Sequence, residues 1–255
     1  MIMNMTSHPS SPTGTPTTDK SLTRFIEAIQ RNQQGNQVRF PDQYELIRRV
    51  DKCFVDVSAH LANAKPVFTG PMFLRSHYAY KTAASMTLAG QVPESFVMMR
   101  SCLEYAGYAL AIFADPGIVD TPSREELFVN RHADALSMKA QKEEFKIGKI
   151  VQTIIKFDQK LANVFQFLYQ RSIDYGGHPN PNGMLTAMSI DKEDGKLSSI
   201  TTLALTVEPL PLQFAMKSAT QVGLTSLNIF QQMFEAKFEL LGVHAEMDAL
   251  RHAGL

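Results

Sequence analysis

Apolar residues recur at helical spacing along most of the chain, and this pattern predicts a series of α-helices. Four of them fall in the first half, at about 21–35, 41–66, 71–90 and 93–114. Glycine or proline marks the end of the first three, because glycine caps a helix and proline cannot continue one. The segment Thr121–Glu126 combines Thr and Ser cap residues with acids, which is typical of a helix start.

The most persistent apolar face predicts one continuous helix of about six turns from Ile147 to Leu168. This helix should stop near Gly176-Gly177-His178-Pro179. Glycine supplies a C-cap there, and a residue before proline is pushed out of the α region.

After the long helix, the spacing of apolar residues changes to the period of two that is typical of β-strands. The runs Met184–Ile190 and Lys196–Leu205 flank an Asp-Gly turn and predict a β-hairpin. Pro209 and Pro211 then lead into a last long helix that ends near Gly242. The predicted fold class is therefore mainly α, an antiparallel helical bundle with one small β-hairpin inserted before the last long helix.

The chain ends differ in composition from the middle. Residues 1–18 are rich in Ser, Thr and Pro and predict a disordered tail, since they offer almost nothing to bury. Residues 19–245 are expected to form a single helical domain, and 246–255 a short C-terminal tail. We find neither a signal peptide nor an apolar run of about 20 residues, so a cytoplasmic protein without a membrane segment is expected.

Composition narrows the function classes only slightly. The 255 residues include 25 Lys and Arg against 25 Asp and Glu, so the formal net charge is zero. That balance excludes a generally basic nucleic-acid binder but not a local phosphate site. Cys53 and Cys102 both occupy apolar helical positions, which favours buried thiols over a nucleophile.

Metal and cofactor motifs are missing from the sequence. No Glu-x-x-His or His-x-x-x-His pair occurs, and neither does a Walker loop, a GxGxxG or a GxSxG sequence. The sequence therefore predicts no metal and no cofactor.

One pair of residues suggests a catalytic site. The long helix ends with Arg171 and His178, separated by six residues and followed by Pro179-Asn180. Arginine offers a fixed fork for oxyanions, and histidine titrates near neutral pH. Together they suit metal-free RNA cleavage, with His178 as acid or base and Arg171 stabilising developing charge. The alternative is that His178-Pro-Asn only stops the helix and that Arg171 pairs with Glu104 or Asp174.

A helical bundle with Arg-x(4–6)-His near the end of a long helix resembles the HEPN superfamily. Some bacterial families of unknown function look closer still, with an Arg-x-x-x-Glu-like helix before a helix that ends in His-Pro-Asn. This chain offers Arg100 and Glu104, then His178-Pro179-Asn180, within a layout that covers roughly residues 70–240. The resemblance implies a homodimeric, metal-independent ribonuclease or RNA-binding module related to defence, with Glu104 and Asp174 supporting Arg171 and His178.

Five lysines on the predicted long helix and just before it fall within about 80° of each other at 100° per residue. They are Lys142, Lys146, Lys149, Lys156 and Lys160. They predict either an ordinary solvated face or a phosphate track for RNA that leads to Arg171.

Two alternatives stay open around the candidate pair. Arg100 and Glu104 form either a helix-surface ion pair or a buried polar network that positions Arg171 or His178. Candidate pocket residues are Tyr105, Tyr108, Tyr175 and Asn180, although core packing is the favoured role for Tyr105 and Tyr108. The alternative function is a non-catalytic bundle that dimerises through its last helix, or one that binds a small ligand in its core.

Overall fold

The computed structural model describes residues 21–61, 64–115, 121–177, 181–193 and 196–253, excluding the side chains of residues 177, 186 and 189–202. The predicted tail at 1–18 lies outside these ranges. The α-helices that the ranges contain are α1 (Leu22–Arg39), α2 (Pro41–Ser58), α3 (Thr69–Ala89), α4 (Val92–Phe113), α5 (Arg124–Val129), α6 (Ala135–Glu144), α7 (Ile147–Ile155), α8 (Gln159–Ser172), α9 (Pro181–Thr186), α10 (Pro209–Leu240) and α11 (Val243–His252). The predicted mainly α, helical-bundle fold is confirmed.

Helix α4 lies at the centre of the bundle, in contact with α3, α7, α8 and α10. Phe96, Met99, Leu103 and Leu110 on this helix are fully buried, which accounts for its high apolar content. Among the described helices α4 alone is long and apolar enough to cross a membrane. A core helix of a soluble protein meets the same criterion, so this property is weak evidence for a membrane span.

The sequence signals at several helix ends are confirmed. Ser21 caps α1 by accepting a hydrogen bond from the Arg24 N–H, and Ser123 and Glu126 form a reciprocal capping box at α5. Gly90 ends α3 in the left-handed region with φ 87°, a conformation that glycine adopts without steric cost.

The predicted end of the first helix at Gly35 is wrong, because α1 continues to Arg39. The extra turn is held by tertiary contacts. Asn36 is buried and its Nδ2 donates to the Leu88 carbonyl oxygen at 2.9 Å, and Phe40 is buried directly after the helix. Burial therefore outweighs the weak helix propensity of Gly35.

The predicted continuous helix from Ile147 to Leu168 is also wrong. Helix α7 ends at Ile155 and α8 begins at Gln159. Asp158 causes the restart, since its side chain accepts hydrogen bonds from the Lys160 and Leu161 N–H groups as an N-cap. Ile150 and Ile154 before the break, and Leu161, Phe165 and Leu168 after it, are still buried in the core.

The predicted C-terminal tail at 246–255 is wrong for its described part. Helix α11 extends to His252, and its Met247 and Leu250 are fully buried. Helix α11 packs against α2 and α10, and Arg49 Nε lies 2.7 Å from Glu246 Oε1. The domain therefore extends beyond the boundary at residue 245.

The segment before α10 contains two short strands, β1 (Met188–Glu193) and β2 (Lys196–Thr202), which pair antiparallel from Met188↔Thr202 to Glu193↔Lys196. Met184, predicted to start the first strand, belongs instead to helix α9. Asp194 and Gly195 in the predicted turn lie outside the described residues.

Candidate functional site

Arg171 lies in the last turn of α8 and points toward α10. Its Nη1 donates to Gln221 Oε1 at 2.8 Å and to Ser218 Oγ at 3.2 Å. The guanidinium carbon lies over the rings of Phe167 and Phe214, 4.6 Å and 5.4 Å from their centroids. Burial lowers the pKa of Arg171 from its usual range.

The predicted pairing of Arg171 with Glu104 or Asp174 is not seen. Glu104 pairs with Arg100, and Asp174 Oδ1 accepts a hydrogen bond from Gln170 at 2.8 Å. Across the described residues, no carboxylate forms an ion pair with Arg171. Its two hydrogen-bond partners are neutral oxygens, so Arg171 keeps its positive charge uncompensated by a direct partner.

Helical backbone reaches the glycine pair where the sequence predicts a stop, and residues 178–180 lie outside the described ranges. A π-helical turn, Ile173–Gly177, continues α8. Gly176 is packed against the start of α4, where a Cβ would lie 2.0 Å from the Pro93 carbonyl oxygen. His178 and Asn180 lie outside the described residues, so the convergence of Arg171 with His178 stays a prediction.

Arg100 and Glu104 form a partly buried network with α8. Arg100 Nε lies 3.3 Å from Glu104 Oε1, although no hydrogen-bond partner is aligned with this buried nitrogen. Tyr169 donates its hydroxyl to Glu104 Oε1 at 3.0 Å. Burial, followed by the charge of Glu104, raises the pKa of Tyr169 to about 12, so the hydroxyl remains a donor at neutral pH.

The predicted pocket tyrosines have different surroundings. Tyr105 and Tyr108 are half-buried against the core, and Tyr108 packs edge-on against Phe145 at 4.8 Å. Tyr175 packs against Phe214 at 4.9 Å, and the same Phe214 ring contacts Arg171. Core packing is therefore confirmed for Tyr105 and Tyr108, while Tyr175 lies beside Arg171.

The five lysines do not share one helix face. Lys142, Lys149 and Lys160 lie on α6, α7 and α8 respectively, and Lys146 and Lys156 are the cap residues on either side of α7. Lys146 and Lys149 are also paired, with Glu143 at 2.6 Å and Glu144 at 2.7 Å. The predicted continuous track of lysines toward Arg171 is therefore wrong. Lys142 and Lys156 are exposed, and Lys160 lines the cleft described next.

A cleft of about 730 Å³ lies between α8, α10 and the neighbouring α11. We call it the α8–α10–α11 cleft. Its lining residues are Asp158, Lys160, Leu161, Val164, Phe167, Leu168, Gln221, Leu224, Thr225, Asn228, Gln231, Gln232, His244 and Arg251. Gln221 and Phe167 in this wall are the partners of Arg171, so the cleft and the predicted site adjoin.

A second polar cluster was also missed by sequence reasoning. His77, almost completely buried, places Nε2 2.6 Å from Asp51 Oδ1 and stacks on Phe54 at 4.9 Å. Burial opposes the charge of Asp51, but the hydrogen bond and charge of His77 outweigh it and lower the pKa of Asp51. Asp51 lines a smaller cavity of about 300 Å³ between α1, α2 and α3.

Neither cysteine is exposed to solvent. Cys53 and Cys102 are buried as predicted, and burial raises their pKa values to about 12 and about 11. Both remain thiols at neutral pH, which argues against a nucleophile. In the described part of the chain no three His, Cys, Asp or Glu side chains group as metal ligands.

Comparison with protein-family models, with curated protein sequences and with solved structures gave no match.

Proposed function

We propose that this protein binds a small organic ligand in the α8–α10–α11 cleft. The observation that carries the proposal is the cleft itself, whose volume of about 730 Å³ falls in the range of roughly 300–1,000 Å³ of small-molecule sites. The cleft lies between helices at the surface, whereas the alternative drawn from the sequence was a ligand pocket in the bundle core.

The lining supports ligand binding because it combines an apolar wall with polar groups. Leu161, Val164, Phe167 and Leu168 of α8 face α10 side chains that include Gln221 and Asn228. Phe167 is 61% exposed and Val164 46%, although both belong to a helix whose other apolar side chains are buried. Contiguous exposed apolar surface beside polar groups is typical of a binding site.

Filling the cleft tests the proposal. We expect the neutral dye Nile red to bind the wild-type protein with enhanced fluorescence and Val164→Trp to lose this binding, because the indole occupies the space above Leu161 and Leu168. The matched control is Val38→Trp on α1, where the original side chain is 82% exposed and remote from the cleft lining. Fluorescence titration measures both, and thermal unfolding checks that each variant folds.

Equal dye binding by wild type and a folded Val164→Trp would contradict the proposal. Absence of binding to wild type would contradict it as well. Loss of binding in Val38→Trp would show that the dye reports on another surface and would count against the cleft.

We propose metal-independent RNA cleavage as a second candidate function, following the HEPN resemblance. The specific observation in its favour is the π-helical turn, because it continues helical backbone from Arg171 to Gly177, the residue before His178. Short π-helical insertions occur frequently at functional sites. In this candidate Arg171 binds phosphate and His178 transfers the proton, within a homodimer.

A further inference from the structure

The α10 wall of the cleft presents two carboxamides whose oxygens are already engaged. Arg171 Nη1 donates to Gln221 Oε1 at 2.8 Å, and Arg251 Nη2 donates to Asn228 Oδ1. Arginine carries only donors, so the amide oxygens must face these guanidinium groups. Gln221 and Asn228 can therefore bind a ligand through their N–H₂ groups, which are hydrogen-bond donors.

The opposite wall adds a positive charge. Lys160, in the first turn of α8, is exposed and lines the cleft, and its ammonium forms no ion pair with any carboxylate of the described residues. Lysine supplies three donors and no acceptor. Lys160 thus presents an unpaired cation in the same cleft as the amide donors.

The other charged groups at this end of the cleft have partners within the protein. Asp158 Oδ1 accepts two backbone N–H groups as the N-cap of α8, and the positive end of that helix offsets its charge. Arg251 pairs with Asp248, and His244 contacts Gln231 and lies 3.4 Å from Asp248. Gln231 and Gln232 engage their amide nitrogens, with His244 and with the Asn228 carbonyl oxygen, and keep their side-chain oxygens as acceptors. The donors that remain are Lys160 and the N–H₂ groups of Gln221 and Asn228.

The apolar groups extend away from this polar end. Leu161, Val164, Leu168 and Leu224 line the cleft, and Phe167 covers its side. Gln221 and Gln232, at the two ends of the α10 lining, are 11 residues apart, which at 1.5 Å per residue makes the cleft roughly 16 Å long. The shape suits an elongated apolar body with one polar head.

We infer that the ligand is an amphipathic organic anion, with an apolar chain against α8 and a carboxylate or phosphate head bound by Lys160 and the Asn228 amide group. This inference rests on the proposed function of the cleft and adds the chemical class of the ligand. It predicts a preference for negative over neutral and positive heads on the same chain.

The test compares decanoate, decyl phosphate, decanol and decylammonium by isothermal titration calorimetry below their micelle concentrations. We expect decanoate or decyl phosphate to bind about fivefold more tightly than decanol, since a partly exposed ion pair contributes up to about 1 kcal/mol. Decylammonium should bind most weakly. The two anions show whether the head is a carboxylate or a phosphate.

The variant Lys160→Met should remove this anion preference and leave decanol binding unchanged, because methionine keeps much of the apolar chain. The matched control is Lys142→Met, an exposed lysine in the last turn of α6 that does not line the cleft. It should behave as wild type.

The outcomes separate the two proposals. Equal binding of decanoate, decyl phosphate and decanol at the cleft would overturn the anion class while the ligand site stands. An anion preference that survives in Lys160→Met, or disappears equally in Lys142→Met, would also overturn the inference. If neither Nile red nor any decyl probe binds, the proposed function itself fails.

Discussion

Replacing Gly176 with alanine should destabilise the folded protein by about 3 kcal/mol, because the π-helical turn after α8 packs directly against α4 at this residue. The added Cβ would lie 2.0 Å from the Pro93 carbonyl oxygen and 2.9 Å from the Phe96 Cβ. Neither neighbour is the end of a flexible side chain, so the π-helical turn and the start of α4 must separate. Urea denaturation of wild type and variant measures the loss.

The matched control for this substitution is Gly35→Ala in the exposed middle of α1. No atom lies within 4 Å of a Cβ at Gly35, so alanine should stabilise the protein by about 0.5–1 kcal/mol through its better helix propensity. A Gly176→Ala variant with the midpoint and slope of wild type would contradict the described packing of the π-helical turn on α4.

The second prediction with a large expected effect concerns the rate of RNA cleavage. If the second candidate function holds, the wild-type protein cleaves single-stranded RNA in the presence of EDTA, and His178→Ala lowers the cleavage rate by about 10²–10⁴-fold, the usual contribution of a general acid or base. His132→Ala, at an exposed histidine between α5 and α6, is the matched control and should retain full activity. Circular dichroism checks that both variants fold.

Cleavage that is unchanged in a folded His178→Ala would contradict the assignment of the acid–base group. A wild-type protein that cleaves no RNA would contradict the second candidate function. Neither result bears on the cleft, which is probed by dye and ligand binding.

Local sequence signals made several helix starts and ends predictable. Ser21 and the Ser123–Glu126 capping box act within one turn of their own helix, and Gly90 acts through its own backbone conformation. The mainly α class followed from hydrophobic periodicity, which depends on the same short range. These features could be predicted because the residues that cause them are neighbours in sequence.

The errors arose where distant contacts or a single cap decided the outcome. Hydrophobic periodicity gives no sign of the break before α8, since apolar side chains on both sides face the same core and Asp158 alone caps the new helix. Gly176 lies in the predicted stop region, and the structure adds that it allows close approach to Pro93. Sequence spacing alone does not distinguish these two uses of glycine.

The candidate site was predictable only in part. Arg171 was singled out from its place at the end of a helix, but its partners Ser218 and Gln221 come from a helix about 50 residues later. The cleft likewise depends on α11, which the sequence analysis assigned to a tail. The exposure of Phe167 and Val164, which forms the apolar wall of the cleft, is a property of the packed structure that the sequence does not display.

The most direct test of the ligand site is methyl NMR of protein labelled at Ile, Leu and Val while decanoate is added. We predict saturable shifts at Leu161, Val164, Leu168 and Leu224, which line the α8–α10–α11 cleft. Shifts at Ile47 and Leu88 instead, in the cavity between α1, α2 and α3, or no saturable shift at all, would contradict the proposed site.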